Sequence, residues 1–145
     1  IAVDAVVADF ISGAVEWLTP PAPDYHWDVI EGQGSLFHPS YAGVSLGILH
    51  GAQAEAMVLC HEPTRTHQRG LPAYPIPDLN SCIDANLTSA HLTCPSARFV
   101  GVSVNTSALP GEESRRLLNE IEEATGLPAV DPMREGVGRI VAALG

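Results

Sequence analysis

Positions 27–39 read WDVIEGQGSLFHP, a short apolar run that stops at a carboxylate and is followed by two glycines. The Val-Ile pair before the carboxylate is typical of a buried strand, so Glu31 would lie where that strand leaves its sheet. Gly32 and Gly34 allow a sharp turn and a close approach to a substrate. Because ligands collect at the carboxyl ends of strands in open α/β sheets, we predict that Glu31 accepts a proton or binds a metal ion. The alternative is a β-turn that Glu31 only caps.

The same pattern, an apolar run that ends in a polar group, recurs three times along the chain. Strands are predicted at 56–60, 99–104 and 128–130, and they end at His61-Glu62, Asn105 and Asp131. Helical spacing of apolar residues predicts helices at 3–18, 44–50 (stopped by Gly51), 79–90 (capped by Asp78), 110–125 and 137–144. This alternation indicates an α/β fold, a parallel sheet with helices on both faces. The four polar strand ends would then share one edge of the sheet.

Composition limits the classes of function. A chain of 145 residues with 46% hydrophobic residues can bury one core, so we predict a single domain over 1–145, part of a longer protein because the chain starts without Met. The net charge of −10 argues against nucleic-acid binding. All seven positive charges are Arg, so this stretch has no phosphate-loop or Schiff-base lysine. Three cysteines without metal-binding spacing indicate reduced thiols in the cytoplasm, and no apolar run is long enough to span a membrane.

Three further side chains are candidates for acid–base or metal chemistry. Asp4 falls within the apolar arc of the first helix, where it could face the site and bind a metal, or simply offset the helix dipole. His38 follows the glycine turn and could orient a carboxylate or shuttle a proton; a structural histidine bonded to backbone is the alternative. His61 ends the second strand, and either its side chain or that of Glu62 is expected to point into a cleft at this edge of the sheet.

A polar, proline-rich loop is predicted over 64–77, and it carries Arg65 and Arg69. Two forked guanidinium groups suit a dicarboxylate substrate, so we predict that these arginines bind it. They could instead be solvated loop charges. Asn105 is interpreted as a ligand contact, with a turn-forming role as the alternative.

Several segments carry a resemblance to one family. Positions 30–44, IEGQGSLFHPSYAGV, are similar to the D-glutamate N-acetyltransferases, whose C-terminal domain resembles the P-loop enzyme dethiobiotin synthetase. So are CHEPTR at 60–65, VNTS at 104–107, GLPAVDP at 126–132 and VDAVVADFISGAVE at 3–16. In the P-loop relatives, the acid matching Glu31 helps to hold magnesium, and the Asn matching Asn105 lies near the base.

The resemblance implies a cytoplasmic enzyme, a homo-oligomer, that transfers an acetyl group from acetyl-CoA to the amino group of D-glutamate, with Mg²⁺ as a possible cofactor. It also implies a three-layer sandwich like that of P-loop NTPases. Members of the family carry an N-terminal α/β domain and a glycine-rich loop with Lys, which this chain does not contain. We therefore expect the chain to lack the P-loop strand and to have the N-terminal part of its own protein as a partner.

Two other functions remain open at this point. One is an ATP- and Mg²⁺-dependent ligase or kinase-like enzyme of the dethiobiotin synthetase type. The other is a non-catalytic fragment that keeps the fold. Binding of acetyl-CoA, ATP–Mg²⁺ and D-glutamate to the complete protein would distinguish the acetyltransferase from the ATP-dependent enzyme.

Overall fold

The computed structural model describes residues 6–145, so Asp4 lies outside the described residues. The chain divides into two compact units. The first takes in the residues up to Glu55 together with Ala85–Ala97, and the second comprises Ala56–Asp84 and Arg98–Gly145. The single-domain organisation stays a prediction.

Two helices lie wholly within the described part of the first unit. A 3₁₀ turn at Ala8–Phe10 leads into α1 (Ile11–Leu18), and α2 spans Ala42–Ala52. A single helix from position 3 was predicted. Among the described residues this is wrong before Ala8, because Val7 has an extended backbone with ψ of 146°. No side chain caps the backbone N–H groups there, so the α-helix begins only at Ile11.

Two glycines one turn apart bring α2 close to α1. A Cβ added at Gly47 would lie 2.5 Å from the side chain of Ile11, and one added at Gly51 would lie 2.9 Å from the Cα of Ser12. Gly51 was predicted to stop the helix. It instead packs inside α2, and Gln53 ends the helix in the left-handed conformation at φ of 47°.

This close approach gives a testable stability difference between two helical glycines of the same unit. Gly51→Ala is expected to destabilise the protein by about 1–3 kcal/mol, since the methyl group meets the backbone of α1, which cannot rotate away. Gly13→Ala is the matched control, because nothing lies within 4 Å of its added Cβ. The control is expected to be more stable by about 0.5–1 kcal/mol. Urea unfolding measures both; equal stabilities would contradict the packing role of Gly51.

The strand predicted before Glu31 does not form. Residues 27–33 carry no regular secondary structure, and Val29 is 97% exposed. A strand needs a neighbour that satisfies its backbone N–H and C=O groups, and the described part of the first unit contains no strand to provide one. Glu31 therefore follows an irregular segment, and the expectation of four polar strand ends on one sheet edge is wrong for Glu31.

The second unit holds every strand that residues 6–145 form. They are β1 (Ala56–His61), β2 (His67–Gln68), β3 (Leu71–Pro75), β4 (Arg98–Val104) and β5 (Ala129–Val130). Its helices are α4 (Gly111–Thr125) and α5 (Gly138–Ala142), together with the start of α3 (Leu79–Ala90), which continues into the first unit. The strands β1, β4 and β5 form the predicted parallel sheet, and their order in it is β1-β4-β5.

Helices cover both faces of this sheet. Val102 and Val104 of β4 cluster with Leu118 and Ile121 of α4. On the other face, Val100 and Val130 cluster with Ile140 of α5.

Strict alternation would place Val100 and Val102 on the same face of β4. The pairing with β1 shifts between Met57 and Val58, which leaves Val100 as an extra residue in β4. This bulge turns Val100 towards α5 while Val102 faces α4.

The loop predicted over 64–77 contains a short hairpin. The strands β2 and β3 pair antiparallel around Arg69-Gly70, where Gly70 adopts φ of +76°. Two helix ends follow the prediction. Asp78 caps α3 by accepting the backbone N–H of Ser81 at 2.9 Å, and Gly126 ends α4 at φ of 70°.

Candidate functional site

The carboxyl ends of the three parallel strands bring three of the predicted polar groups together. His61 pairs with Val104, and the backbone N–H of Asn105 donates to the carbonyl of His61 at 2.9 Å. Asp131 follows β5 and accepts the backbone N–H of Thr106 at 3.1 Å. This edge of the second unit, formed by His61, Asn105 and Asp131, is the candidate site and is called the sheet edge below.

His61 is the titratable group at the sheet edge best suited to accept a proton. Its side chain is half-buried, and this burial lowers the pKa of His61 below its ordinary value, although the negative charge of Glu62 acts in the opposite direction. The imidazole is therefore mainly neutral near pH 7. A neutral imidazole can accept a proton from a substrate.

Glu62 is turned towards its own loop. One carboxylate oxygen accepts hydrogen bonds from the backbone N–H and the hydroxyl of Thr64. The other accepts a hydrogen bond from Nε of Arg65 at 3.0 Å. These bonds, those from Thr64 first, keep the pKa of Glu62 below its ordinary value. Of the pair His61-Glu62, the histidine is thus the better candidate for proton transfer.

The two loop arginines occupy different places. Arg65 lies just past β1, where its Nε is already bonded to Glu62, and its side chain is 59% exposed. Arg69 lies in the turn of the β2–β3 hairpin and is exposed. Substrate binding by either one stays a prediction.

Asn105 shapes the turn after β4. Its side-chain oxygen accepts the backbone N–H of Ser107 at 3.1 Å, and the residue is exposed. The turn-forming role is therefore present in the structure. Contact with a ligand stays a prediction, and the exposed carboxamide at the sheet edge is compatible with it.

A buried polar network beneath Asn105 was missed by the sequence reasoning. Thr106, Ser114 and Asp131 are 0%, 2% and 3% exposed, respectively. The hydroxyl of Ser114 donates to that of Thr106 at 2.7 Å, and Thr106 donates in turn to Asp131. Only the Asp-Pro pair after β5 marked part of this network in the sequence, since serine and threonine between apolar runs usually signal an exposed turn.

Asp131 is ionised in this network. Burial alone would raise the pKa of Asp131, but the hydrogen bonds from Thr106 and from the backbone N–H groups of Met133 and Arg134 outweigh it and hold the pKa below its ordinary value. The carboxylate thus joins the loop after β4 to the segment after β5.

In the first unit, the glycine turn is attached to α2. The hydroxyl of Ser45 donates to the carbonyl of Gln33. Gly34 adopts φ of +68°, and an added Cβ there would lie 3.1 Å from Cβ of Tyr41. Glycine is therefore required at 34, whereas nothing lies within 4 Å of a Cβ added at Gly32. Glu31 is exposed beside this turn, and its predicted role stays a prediction.

His38 has a structural role. Its side chain is buried, its Nδ1 accepts the backbone N–H of Ser40 at 3.1 Å, and its ring lies 4.5 Å from that of Tyr41. Its carbonyl accepts the backbone N–H of Ala42, at the start of α2, at 2.9 Å. Because Nδ1 accepts this hydrogen bond, the proton of a neutral His38 ring lies on Nε2. These contacts are those expected of a structural histidine, and catalysis by His38 stays a prediction.

Over residues 6–145, no group of three or more His, Cys, Asp or Glu residues is arranged to hold a metal ion. The predicted ligands Glu31 and Asp4 are not tested by this, since Asp4 is not described. None of the helices in the same range is long and apolar enough to cross a membrane.

Comparisons with known proteins agree with the resemblance read from the sequence. Residues 1–141 match the family described as "Domain of unknown function (DUF1611_C) P-loop domain". Two similar proteins, from Tritonibacter scottomollicae and a Pseudoalteromonas species, are named D-glutamate N-acetyltransferase. Their sequences are 54% and 51% identical to this one, over alignments that cover 99% of this chain. The chain spans 43% of the length of each of these relatives.

A solved structure supports the fold. The crystal structure of a DUF1611 family protein from Anabaena variabilis is similar to this chain with a TM-score of 0.85 at 33% identity, over 99% of this chain and 43% of that one. The predicted P-loop-like α/β fold is confirmed. The chain belongs to the DUF1611 family, within its C-terminal P-loop domain.

Proposed function

We propose that this chain is part of an N-acetyltransferase that moves an acetyl group from acetyl-CoA to the amino group of D-glutamate. The observation that carries the proposal is the similarity to two proteins named D-glutamate N-acetyltransferase, at 54% and 51% identity. Because the chain spans 43% of the length of those relatives, the activity is proposed for the complete protein.

The reaction needs proton acceptors. The ammonium group of D-glutamate must lose a proton before nitrogen can attack the thioester carbon. The resulting tetrahedral intermediate loses a second proton from nitrogen as the C–S bond breaks. One of the two protons ends on the sulfur of coenzyme A and the other in solvent. We assign His61 as one acceptor, because its imidazole is neutral near pH 7 and lies at the sheet edge.

Glu31 is proposed to act in the same reaction as a proton acceptor or as an oxygen ligand of Mg²⁺. The described residues assemble no metal site, so the proposal contains no step through a metal. The enzyme is further proposed to be a cytoplasmic homo-oligomer. Cys60, Cys82 and Cys94 form no disulfide, which is compatible with a reducing compartment.

The exposed arginines give a prediction about substrate affinity. Arg69→Lys is expected to raise KM for D-glutamate about tenfold, because lysine keeps the charge but loses the fork that binds a carboxylate. Arg65→Lys is measured in the same way; Nε of Arg65 bonds Glu62, so this variant also loses that contact. Arg116→Lys, on the exposed side of α4, is the control. Unchanged KM values in both loop variants would show that these arginines are surface charges.

The proposed function is tested by following coenzyme A release by the complete protein with acetyl-CoA and D-glutamate, with L-glutamate as the comparison. Formation of N-acetyl-D-glutamate is expected. The family's P-loop description favours one alternative, an ATP-dependent ligase or kinase-like enzyme. Formation of ADP that depends on ATP–Mg²⁺, without acetyl transfer, would replace the proposal by that alternative.

A further inference from the structure

The turn after β4 is held from below by a chain of buried hydrogen bonds. Ser114 of α4 donates to Thr106, and Thr106 bonds Asp131 through both its hydroxyl and its backbone N–H. Removing one partner would leave a buried polar group unsatisfied. The buried side of the loop formed by residues 105–109, here called the Asn105 loop, is therefore fixed to the segment after β5.

Arg134 holds the same loop through its backbone. Its Nη2 donates to the carbonyl of Thr106 at 3.1 Å and to that of Leu109 at 2.7 Å. Its Nε lies 3.6 Å from the carboxylate of Asp131. The guanidinium thus connects the carbonyls of residues 106 and 109, at the start and the end of the loop, to the buried carboxylate. Lysine carries a single nitrogen, which would have to serve both carbonyls and the carboxylate.

The held loop presents Asn105 next to His61. The backbone N–H of Asn105 bonds the carbonyl of His61, so the position of the loop sets where the Asn105 carboxamide lies relative to that strand end. Thr106 faces inward and is fully buried, whereas Asn105 is exposed. The network therefore fixes an exposed polar side chain beside the proposed proton acceptor.

We infer that Asp131, Thr106 and Arg134 are positioning residues, which hold the Asn105 loop so that the Asn105 carboxamide contacts the acceptor amino acid beside His61. The inference rests on the proposed function for the identity of the acceptor. Asn105 touches the substrate, and the three positioning residues act through it.

The test uses the complete protein with Arg134→Met, and Arg116→Met as the control. Arg116 is 72% exposed and pairs along α4 with Glu120 at 3.5 Å. In Arg134→Met, amide hydrogen exchange over residues 105–109 is expected to become about tenfold faster, because two hydrogen bonds to the loop are lost. KM for D-glutamate is expected to rise about tenfold, with kcat per folded enzyme nearly unchanged. A structural role alone would lower the folded fraction and leave KM as in the wild type.

A second pair of variants separates the hydroxyl from the rest of the side chain. Thr106→Ser keeps the donor to Asp131 and is expected to behave like the wild type, while Thr106→Val is expected to resemble Arg134→Met. If Thr106→Val does not fold, Arg134→Met decides, because its side chain is 38% exposed. In a double-mutant cycle, Asn105→Ala and Arg134→Met should not add, since they remove the same contact. Additive effects on KM, or a faster-exchanging loop with unchanged KM, would overturn the inference.

The proposed function can fail without the inference. If the wild type does not transfer acetyl groups, calorimetric titration with acetyl-CoA, ATP–Mg²⁺ and D-glutamate replaces KM. Weaker binding of any of these probes by Arg134→Met, with Arg116→Met unchanged, supports the positioning role. Unchanged binding of all three overturns it.

Discussion

Replacing His61 with Asn in the complete protein is expected to lower kcat for acetyl transfer about 10²- to 10⁴-fold, the usual effect of losing a general base. Asparagine can occupy the end of β1, but it cannot accept a proton from the amine. The fold should survive, because the carbonyl of residue 61, and not its side chain, bonds Asn105. His67→Asn is the matched control, since His67 is an exposed histidine of β2 in the same unit.

The pH profile distinguishes this role from a structural one. Burial lowers the pKa of His61 below 6.5, so the wild-type kcat/KM should rise with pH through a pKa below 6.5 and then level off. The active form is the deprotonated one, which a lowered pKa populates at neutral pH. The His61→Asn enzyme should lack this acid limb. A mutant that keeps the limb, or that keeps full activity, would remove His61 from the mechanism.

Glu31→Gln is expected to reduce turnover to a similar extent, about 10²- to 10⁴-fold, with the fold retained. Glutamine has nearly the same size, and Glu31 is exposed, so packing should not change. A carboxamide neither accepts a proton nor binds Mg²⁺ as a carboxylate does. Glu55→Gln is the control, because Glu55 is an exposed carboxylate of the same unit.

Titration with Mg²⁺ separates the two roles of Glu31. Loss of a metal ligand would weaken Mg²⁺ binding, so the mutant would need more Mg²⁺ for half-maximal activity. Loss of a base would leave that concentration unchanged and lower the rate at every Mg²⁺ concentration. A Glu31→Gln enzyme with full activity would show that the carboxylate is not used in the reaction.

Most strands and helices of the second unit could be predicted from local patterns. Apolar runs ending at His61, Asn105 and Asp131 became β1, β4 and β5. Asp78 begins α3 through its side-chain oxygen, and Gly126 ends α4 in the left-handed conformation. These features depend on residues close together in the chain. The predicted strand before Glu31 does not form for the opposite reason, since its stability depends on a neighbouring strand that the described part of the first unit does not contain.

The sequence by itself determined the α/β class, the parallel sheet and the gathering of polar groups at one edge, because hydrophobic periodicity and strand direction suffice for these. Only the tertiary structure decided that Gly51 packs against α1, that a bulge turns Val100 towards α5, and that Asp131 bonds Thr106. Each of these depends on the distance between atoms from separate elements. That distance is set by packing in three dimensions, which no local pattern of residues encodes.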